Sequence, residues 1–453
     1  MTRSCKRDLA AAGVAVLLVA AAVLVGHHIQ RTAGTLFVDW PPLMADWDPH
    51  WGPGTPAAAL VAAAVVGYGP VLAARLSWRA LLPAAWLAAM AWTWSLALID
   101  GWRDGVVARL DNRHEYLAAI DRFDDIPAAL SGFTGHILID SPDNWPTHVA
   151  GHPPGATLTF VLLDRIGLSG AGWAGAFCIT VGASACVAVL VAVRALCGGT
   201  QARRAAPFLV LAPAAVWMGT SADAYFAAVA AWAVALFALA VVGRSRWWAA
   251  AGGVLFGLAV NLSYGLTLLA VIGAGVLLLG RRGVLRRPSL LLFLLAGIAV
   301  VPLVFTLAGF HWWEAYHLLV DRYHQGAGGV RPYGYWVWAN LACAVLAVGL
   351  ATVAGLRRAG AALIERPRNA LGEPEPGGAS GRWARLAVLV GFALLAILIA
   401  DLSGMSKAET ERIWLPFLLW LLPACAFLPR ARAWLTAQAV LALLVNHLLL
   451  TSW

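Results

Sequence analysis

Residues able to do chemistry gather in three stretches of this 453-residue chain, each set between long apolar runs. The largest, 100–170, holds DNRHEY at 111–116, then Asp121, Asp124 and Asp125, then WPTHVAGHPPG at 145–155. Asp111 and Glu115 stand four apart, so a helix begun that early would turn both carboxylates to one face. Arg113, His114, His148 and His152 supply cations beside them. The second stretch is the turn GTSADAY at 219–225, where Asp223 lies between two apolar runs. A carboxylate so near a bilayer boundary is costly, which favours a working role. The third joins 311–335, with Arg331, to 403–412, with Lys407, Glu409 and Arg412. In a chain this apolar, function is sought where ionisable groups of this kind collect at one face of the bilayer.

The elements that must position these groups are apolar helices. Apolar residues make up 61% of the chain and charged ones 12%, about half the usual share, and mean hydropathy is +0.75. That excludes a soluble enzyme, a disordered chain and a secreted disulfide scaffold. Continuous rather than alternating apolar runs exclude a β-barrel. The pattern predicts an all-α polytopic membrane protein of about thirteen transmembrane helices. They fall near 9–27, 57–74, 80–99, 171–193, 205–220, 224–243, 247–262, 265–279, 289–309, 336–356, 386–402, 413–428 and 433–450. The six cysteines lie mostly in or beside these runs without metal-ligand spacing and read as packing residues. A net charge of +9 reflects arginine-rich loops on one side of a membrane, so no nucleic-acid partner is expected.

Charge sets the orientation. With the N-terminus inside and the short apolar segment 153–168 lying in the outer interface, 22 of the 32 Lys and Arg are cytoplasmic. Nineteen of 23 carboxylates and all 11 histidines are then outside or at outer helix ends. Making 153–168 a span reverses the count to 10 inside and 22 outside, against the positive-inside rule. Five parts follow: three helices in 1–99, an outer catalytic loop with juxtamembrane helices in 100–170, central helices in 171–309, an outer loop at 310–335, and C-terminal helices in 336–453. The last contains a cytoplasmic linker at 357–385, whose 367–381 core is rich in Gly, Pro and Glu. The first run reads as a retained signal anchor. Residues 114–123 read as an amphipathic surface helix, and the Trp-rich loop 39–51 as an interfacial aromatic belt.

The order of these parts resembles the GT-C superfamily of integral-membrane glycosyltransferases, which includes protein O-mannosyltransferases, aminoarabinose transferases, the oligosaccharyltransferase catalytic subunit and actinobacterial arabinosyl- and mannosyltransferases. The likeness covers about 100–245. An acidic residue with Glu115-Tyr116 opens a long outer loop, and His152-Pro-Pro-Gly155 looks like the family's His/Lys-Pro-Pro-Leu element. Two spans joined by a basic turn follow, then Pro213 and the Gly-Thr-Ser-Ala-Asp turn. The chain departs from the family in having two extra leading spans and no Asp-Glu or Asp-x-Asp pair at the catalytic position.

The resemblance implies transfer of a hexosyl or pentosyl group from a polyprenyl-phosphate donor to a hydroxyl of a lipid- or cell-wall-linked glycan, with inversion. The expected setting is the outer face of a bacterial cytoplasmic membrane, with the C-terminus outside. Phosphate leaves as a stable anion, so the step needs a base but no general acid. Asp111 is the expected base and Glu115 its substitute; Asp223 would orient the acceptor or a divalent cation, the one candidate cofactor. Arg412, Lys407, Arg331 and His152 would hold the phosphate, with Arg113, His114, His148 and Glu409 also facing substrate. Trp312, Trp313, Tyr316, Tyr323 and Trp336 could stack on sugar rings. The competing readings are a transporter or flippase for a lipid-linked glycan, and a non-catalytic scaffold of the cell envelope. Few charges lie inside the spans and no strong internal repeat is present, which counts against the transporter.

Overall fold

A computed structural model describes residues 3–243, 245–364 and 379–452. Most of the 367–381 linker core therefore lies outside the described residues. Without water to satisfy the backbone, apolar runs of this length must form helices. Eight described helices are long and apolar enough to cross a membrane: Arg3–Ala33, Thr55–Arg75, Trp78–Asp100, Ala171–Leu196, Ala222–Val242, Tyr264–Arg286, Ser289–Leu307 and Ser380–Leu402. The chain is a multi-pass membrane protein. Tyr333–Val348 and Leu350–Ile364 make a ninth if taken as one span bent by 105° at Gly349, which has φ +80°.

Five expected spans take other forms. The 336–356 run is that bent pair. The 205–220 run splits into Gly199–Val210 and Ala215–Met218 around Pro213, and 413–428 breaks into Thr410–Ile413, Leu415–Leu418 and the 3-10 turn Leu422–Phe427. Proline removes a backbone donor and clashes with the preceding turn, and Pro416 and Pro423 open two of these pieces. Trp247–Leu262 has 16 residues and Ala431–Leu448 has 18. Segment 153–168 holds one helix, Gly155–Arg165, whose 11 residues reach only about 16 Å and cannot span.

The 100–170 segment also departs from expectation. The amphipathic helix is a 3-10 turn, Tyr116–Phe123, with Glu115 extended before it. The His114 carbonyl accepts from the His148 N–H at 2.9 Å instead of from a following turn, so no helix carries Asp111 and Glu115 on one face.

The Ala222–Val242 helix is the most buried of the candidate spans. Ten of its 21 residues are alanine, which lets the helices around it approach closely where lipid gives no hydrophobic drive. Trp247–Leu262 and Ser289–Leu307 pack in parallel on glycine. A Cβ at Gly253 would strike the Leu294 carbonyl, one at Gly257 the Ile298 carbonyl, and one at Gly297 the Ala250 carbonyl.

Contacts sort the loops into two ends. At one, buried Asp8 takes Arg357 at 2.6 Å and Arg358 at 2.7 Å, and Arg203 caps the Ala73 and Leu76 carbonyls. At the other, His50 and Arg109 share Asp100, each at 2.8 Å, beside a small antiparallel sheet pairing Ala45–Trp47 with Leu449–Thr451.

Gly297→Leu should force the two glycine-packed helices apart, at about 1–3 kcal/mol. Thermal melting in detergent should show a fall of several degrees, whereas Gly391→Leu, with nothing within 4 Å of its Cβ, should melt like the parent.

Candidate active site

The site begins at the first turn of Ala222–Val242. Ser221 caps the helix, its Oγ accepting from the Asp223 N–H at 3.0 Å, and Asp223 sits 4% exposed at the positive end of the helix dipole. Arg412 reaches it from the opposite wall, donating from Nη1 to Asp223 Oδ2 at 2.5 Å and from Nη2 to Glu409 Oε2 at 2.8 Å. Both Ala408 (φ +72°) and Glu409 (φ +60°) are left-handed, conformations that cost a side-chain-bearing residue about 1–2 kcal/mol each. This reversed turn is what brings Glu409 round to its own helix's arginine.

Two further arms extend the cluster. Arg331 Nη1 lies 3.8 Å from Glu409 Oε1 and is itself fixed by the Leu36 carbonyl (2.9 Å) and the Lys407 carbonyl (2.8 Å). His148 Nε2 lies 3.5 Å from Arg412 Nη2, and its Nδ1 lies 2.7 Å from Glu115 Oε1. The Tyr116 ring stacks on Phe160 and meets His148 and His152 at 6.0 and 5.7 Å. Glu115, Asp223, His148, His152, Arg331, Glu409 and Arg412, remote in sequence, thus share one neighbourhood.

Electrostatics follow from burial and pairing. Burial alone would raise the Glu409 carboxyl, but Arg412 and Arg331 hold it below its ordinary value. Burial would likewise weaken the Arg412 guanidinium's hold on its proton, and Asp223, Glu409 and Glu115 more than reverse that. Burial pushes His152 down to about 4 despite the pull of Asp223, so its imidazole is neutral at pH 7. Tyr116 is raised well above the usual phenol value by burial and by the charges of Asp223 and Glu115.

Other nominated residues lie elsewhere. Asp111 is exposed, as are Arg113 and His114; Arg113 turns to its neighbour His114 (3.1 Å), and His114 to Thr147. Lys407 Nζ binds the Gly328 carbonyl at 2.8 Å and ties two loops together. Trp336 is wholly buried beneath Arg331, so its face is closed to a sugar, and Trp312 stacks on Tyr316 at 5.7 Å. Sequence reasoning named Tyr116 without giving it a place in the site and passed over Glu411. Glu411 is fully buried beside Cys343 and the Met44 backbone, and burial with the nearby Glu409 charge pushes it up to about 7. The only hint was its place in AETER, between Glu409 and Arg412.

Asp223 and Glu409 share the Arg412 charge, and among the described residues no three carboxylates, imidazoles or thiols are grouped so as to hold a metal ion.

A narrow slot of about 40 Å³ leads from Asp223 between the helices. Its walls are Phe226, Leu266, Leu268, Ala400, Ile413, Trp414, Pro416 and Phe417, with Ser263 and Ser406 as the hydroxyls.

Arg412→Gln leaves buried Asp223 without its cation, while part-buried Glu409 keeps Arg331, and should cost about 3–5 kcal/mol, read as a large drop in melting temperature. Two opposite pH dependences overlap here. Glu411 keeps its proton to about pH 7 in the fold but only to 4.5 when unfolded, so it contributes stability that falls as pH rises through that window. His152 protonates near 6.5 unfolded and only near 4 folded, so it contributes stability that falls as pH drops from 6.5 toward 4. Between those limits the two largely cancel, so melting of the parent should vary little with pH, Glu411→Gln should unmask a fall on acidification, and His152→Gln should unmask a fall as pH rises.

The chain is similar to solved structures of the Archaeoglobus fulgidus oligosaccharyltransferase. For its complex with Zn and sulfate, the TM-score is 0.43 at 15% identity, over 81% of this chain and 51% of that one. For the form tethered by a disulfide bond to an acceptor peptide containing the NVT sequon, it is 0.41 at 13% identity, over 80% and 49%. This chain therefore spans about half the length of those it matches. No family model matches it, and neither does any of the curated proteins.

Proposed function

We propose that this protein is a glycosyltransferase that moves a sugar from a polyprenyl-phosphate donor to an acceptor hydroxyl on the outer face of a bacterial cytoplasmic membrane. The observation that carries the reading is the buried Asp223–Arg412 pair, joined through Glu409 to Arg331 and through His148 to Glu115. Asp223 also lines a mostly apolar slot between helices, which would have to widen before a prenyl tail could enter and whose walls offer little to a soluble sugar nucleotide. The arginine-rich end of the bundle is then cytoplasmic, and the end bearing the cluster is outside.

In the proposed step the acceptor oxygen attacks the anomeric carbon as the bond from that carbon to the phosphate oxygen breaks, inverting the centre. The acceptor's proton passes to a carboxylate. We assign this base to Glu115, not Asp111, because Glu115 is the one joined through His148 to Arg412. Exposed Asp111 is left for acceptor contact at the rim with Arg113 and His114. Arg412, backed by Arg331, receives the charge that develops on the lipid phosphate. Asp223 and Glu409 position Arg412 and keep the empty site neutral enough to stay buried. The neutral imidazole of His152 offers a hydrogen bond without adding charge, and Lys407 shapes the loop carrying Glu409.

The test is transfer of a radiolabelled sugar from polyprenyl phosphate to glycan acceptors by the full chain in proteoliposomes. Glu115→Gln and Asp223→Asn should each lower the rate by about 100-fold or more, and Asp111→Asn by only a few-fold. Unchanged transfer in both of the first two variants removes the site assignment. Translocation of the lipid-linked glycan without transfer would establish the transporter reading, and neither activity would leave a scaffold.

A further inference from the structure

The far end of the bundle holds a second polar recess, of about 350 Å³, lined by Ser245, Arg246, Trp247, Arg287, Ser289 and Leu290. It is separate from the candidate active site. Asp223 begins the 21-residue Ala222–Val242 helix and this recess lies just past its end, about 30 Å away. Two arginines and two hydroxyls face it, and no carboxylate is among the lining residues.

Its electrostatics are unusual for a reason rooted in the fold. Trp247–Leu262 and Ser289–Leu307 run parallel and pack on glycine, so their N-termini lie side by side. Each carries about half a positive charge from its unpaired first-turn N–H groups, and close parallel dipoles repel. Arg246 and Arg287 add two full charges where the dipoles already crowd. Arg246 is held there by stacking over Phe293 at 4.8 Å, with Trp247 edge-on to the same ring at 5.5 Å. Arg287 spends Nη2 on the Ala240 carbonyl at 3.4 Å, while its Nη1 is buried without a hydrogen-bond partner among the described residues. An anion with several acceptor oxygens would satisfy all of these donors together.

The surroundings identify the anion's source. Trp247 (67% exposed), Trp248 (45%), Leu285 (78%) and Leu292 (67%) form an apolar collar next to the cations. Tryptophan beside arginine at a helix end is the signature of the headgroup zone. We propose that this recess seats the phosphate of an anionic phospholipid from the leaflet opposite the candidate active site, with its acyl chains against the collar. Bound lipid would neutralise the paired helix ends and hold Trp247–Leu262 and Ser289–Leu307 in register, independently of the reaction proposed above.

The experiment measures binding to the full chain in neutral detergent of short-chain phosphatidylglycerol, phosphatidylcholine of the same chain length, and inorganic phosphate. Phosphatidylglycerol should bind and raise the melting temperature, with the other two at least tenfold weaker. Arg246→Gln should weaken phosphatidylglycerol roughly 5-fold and the Arg246→Gln/Arg287→Gln pair about 30-fold, while Arg246→Lys/Arg287→Lys stays within a few-fold of the parent. Arg246 is exposed, so the single variant reports on binding even if the double one fails to fold. Equal binding of phosphatidylglycerol by the parent and Arg246→Gln would overturn the proposal. So would equal binding of phosphatidylcholine, and a match by inorganic phosphate would reassign the recess to a free anion.

Discussion

One guanidinium organises one end of this molecule. Arg412 is nearly inaccessible to solvent, and so is Asp223, to which it is bound. Two ions removed from water lose several kcal/mol of hydration each, and only close pairing recovers it. Arg412 therefore has to be met by carboxylates in fixed places, and three separate parts of the chain are shaped to provide them. The capped first turn of the central helix presents Asp223, the left-handed turn presents Glu409, and the loop before Pro153 presents His148 with Glu115 behind it. Without that cation the three parts would have little reason to meet, since their facing groups are mostly anions.

The scaffold behind the cluster follows from the absence of water. Where lipid surrounds the helices, close contact must come from shape, and the alanine-rich central helix and the glycine-backed parallel pair provide it. The ion pairs among the described residues lie at the two ends, where Asp8 with its two arginines and Asp100 with His50 and Arg109 lace loops together. The arrangement lets the two ends differ in chemistry.

Much of this was legible in the residues. Apolar runs of about 20 residues mark the long helices because nothing else satisfies a backbone in lipid, and Asp223 stood out as a charge that packing alone does not explain. The interrupted segments were less legible. Hydropathy sums over a window and is blind to Pro213, Pro416 and Pro423, which break runs that look continuous by composition. The prominence given to Asp111 came from a helical spacing that a tertiary bond, His148 to the His114 carbonyl, prevents from forming. Glu411 was hidden for a related reason. In a run of alternating acids and bases nothing local says which carboxylate turns inward, and that choice is made by the backbone reversal at Ala408 and Glu409.

That reversal has a kinetic side. A stretch of main chain held away from its own preferred geometry sits uphill, retained by the ionic grip on Glu409 together with the bonds at Ser406 and Lys407. Should a competing anion take over that grip, Glu409 would be released and the loop would recoil toward ordinary backbone torsions. Ligand capture and loop movement would then be two faces of one exchange of partners, with the elastic return offsetting part of the work of opening a sealed pocket.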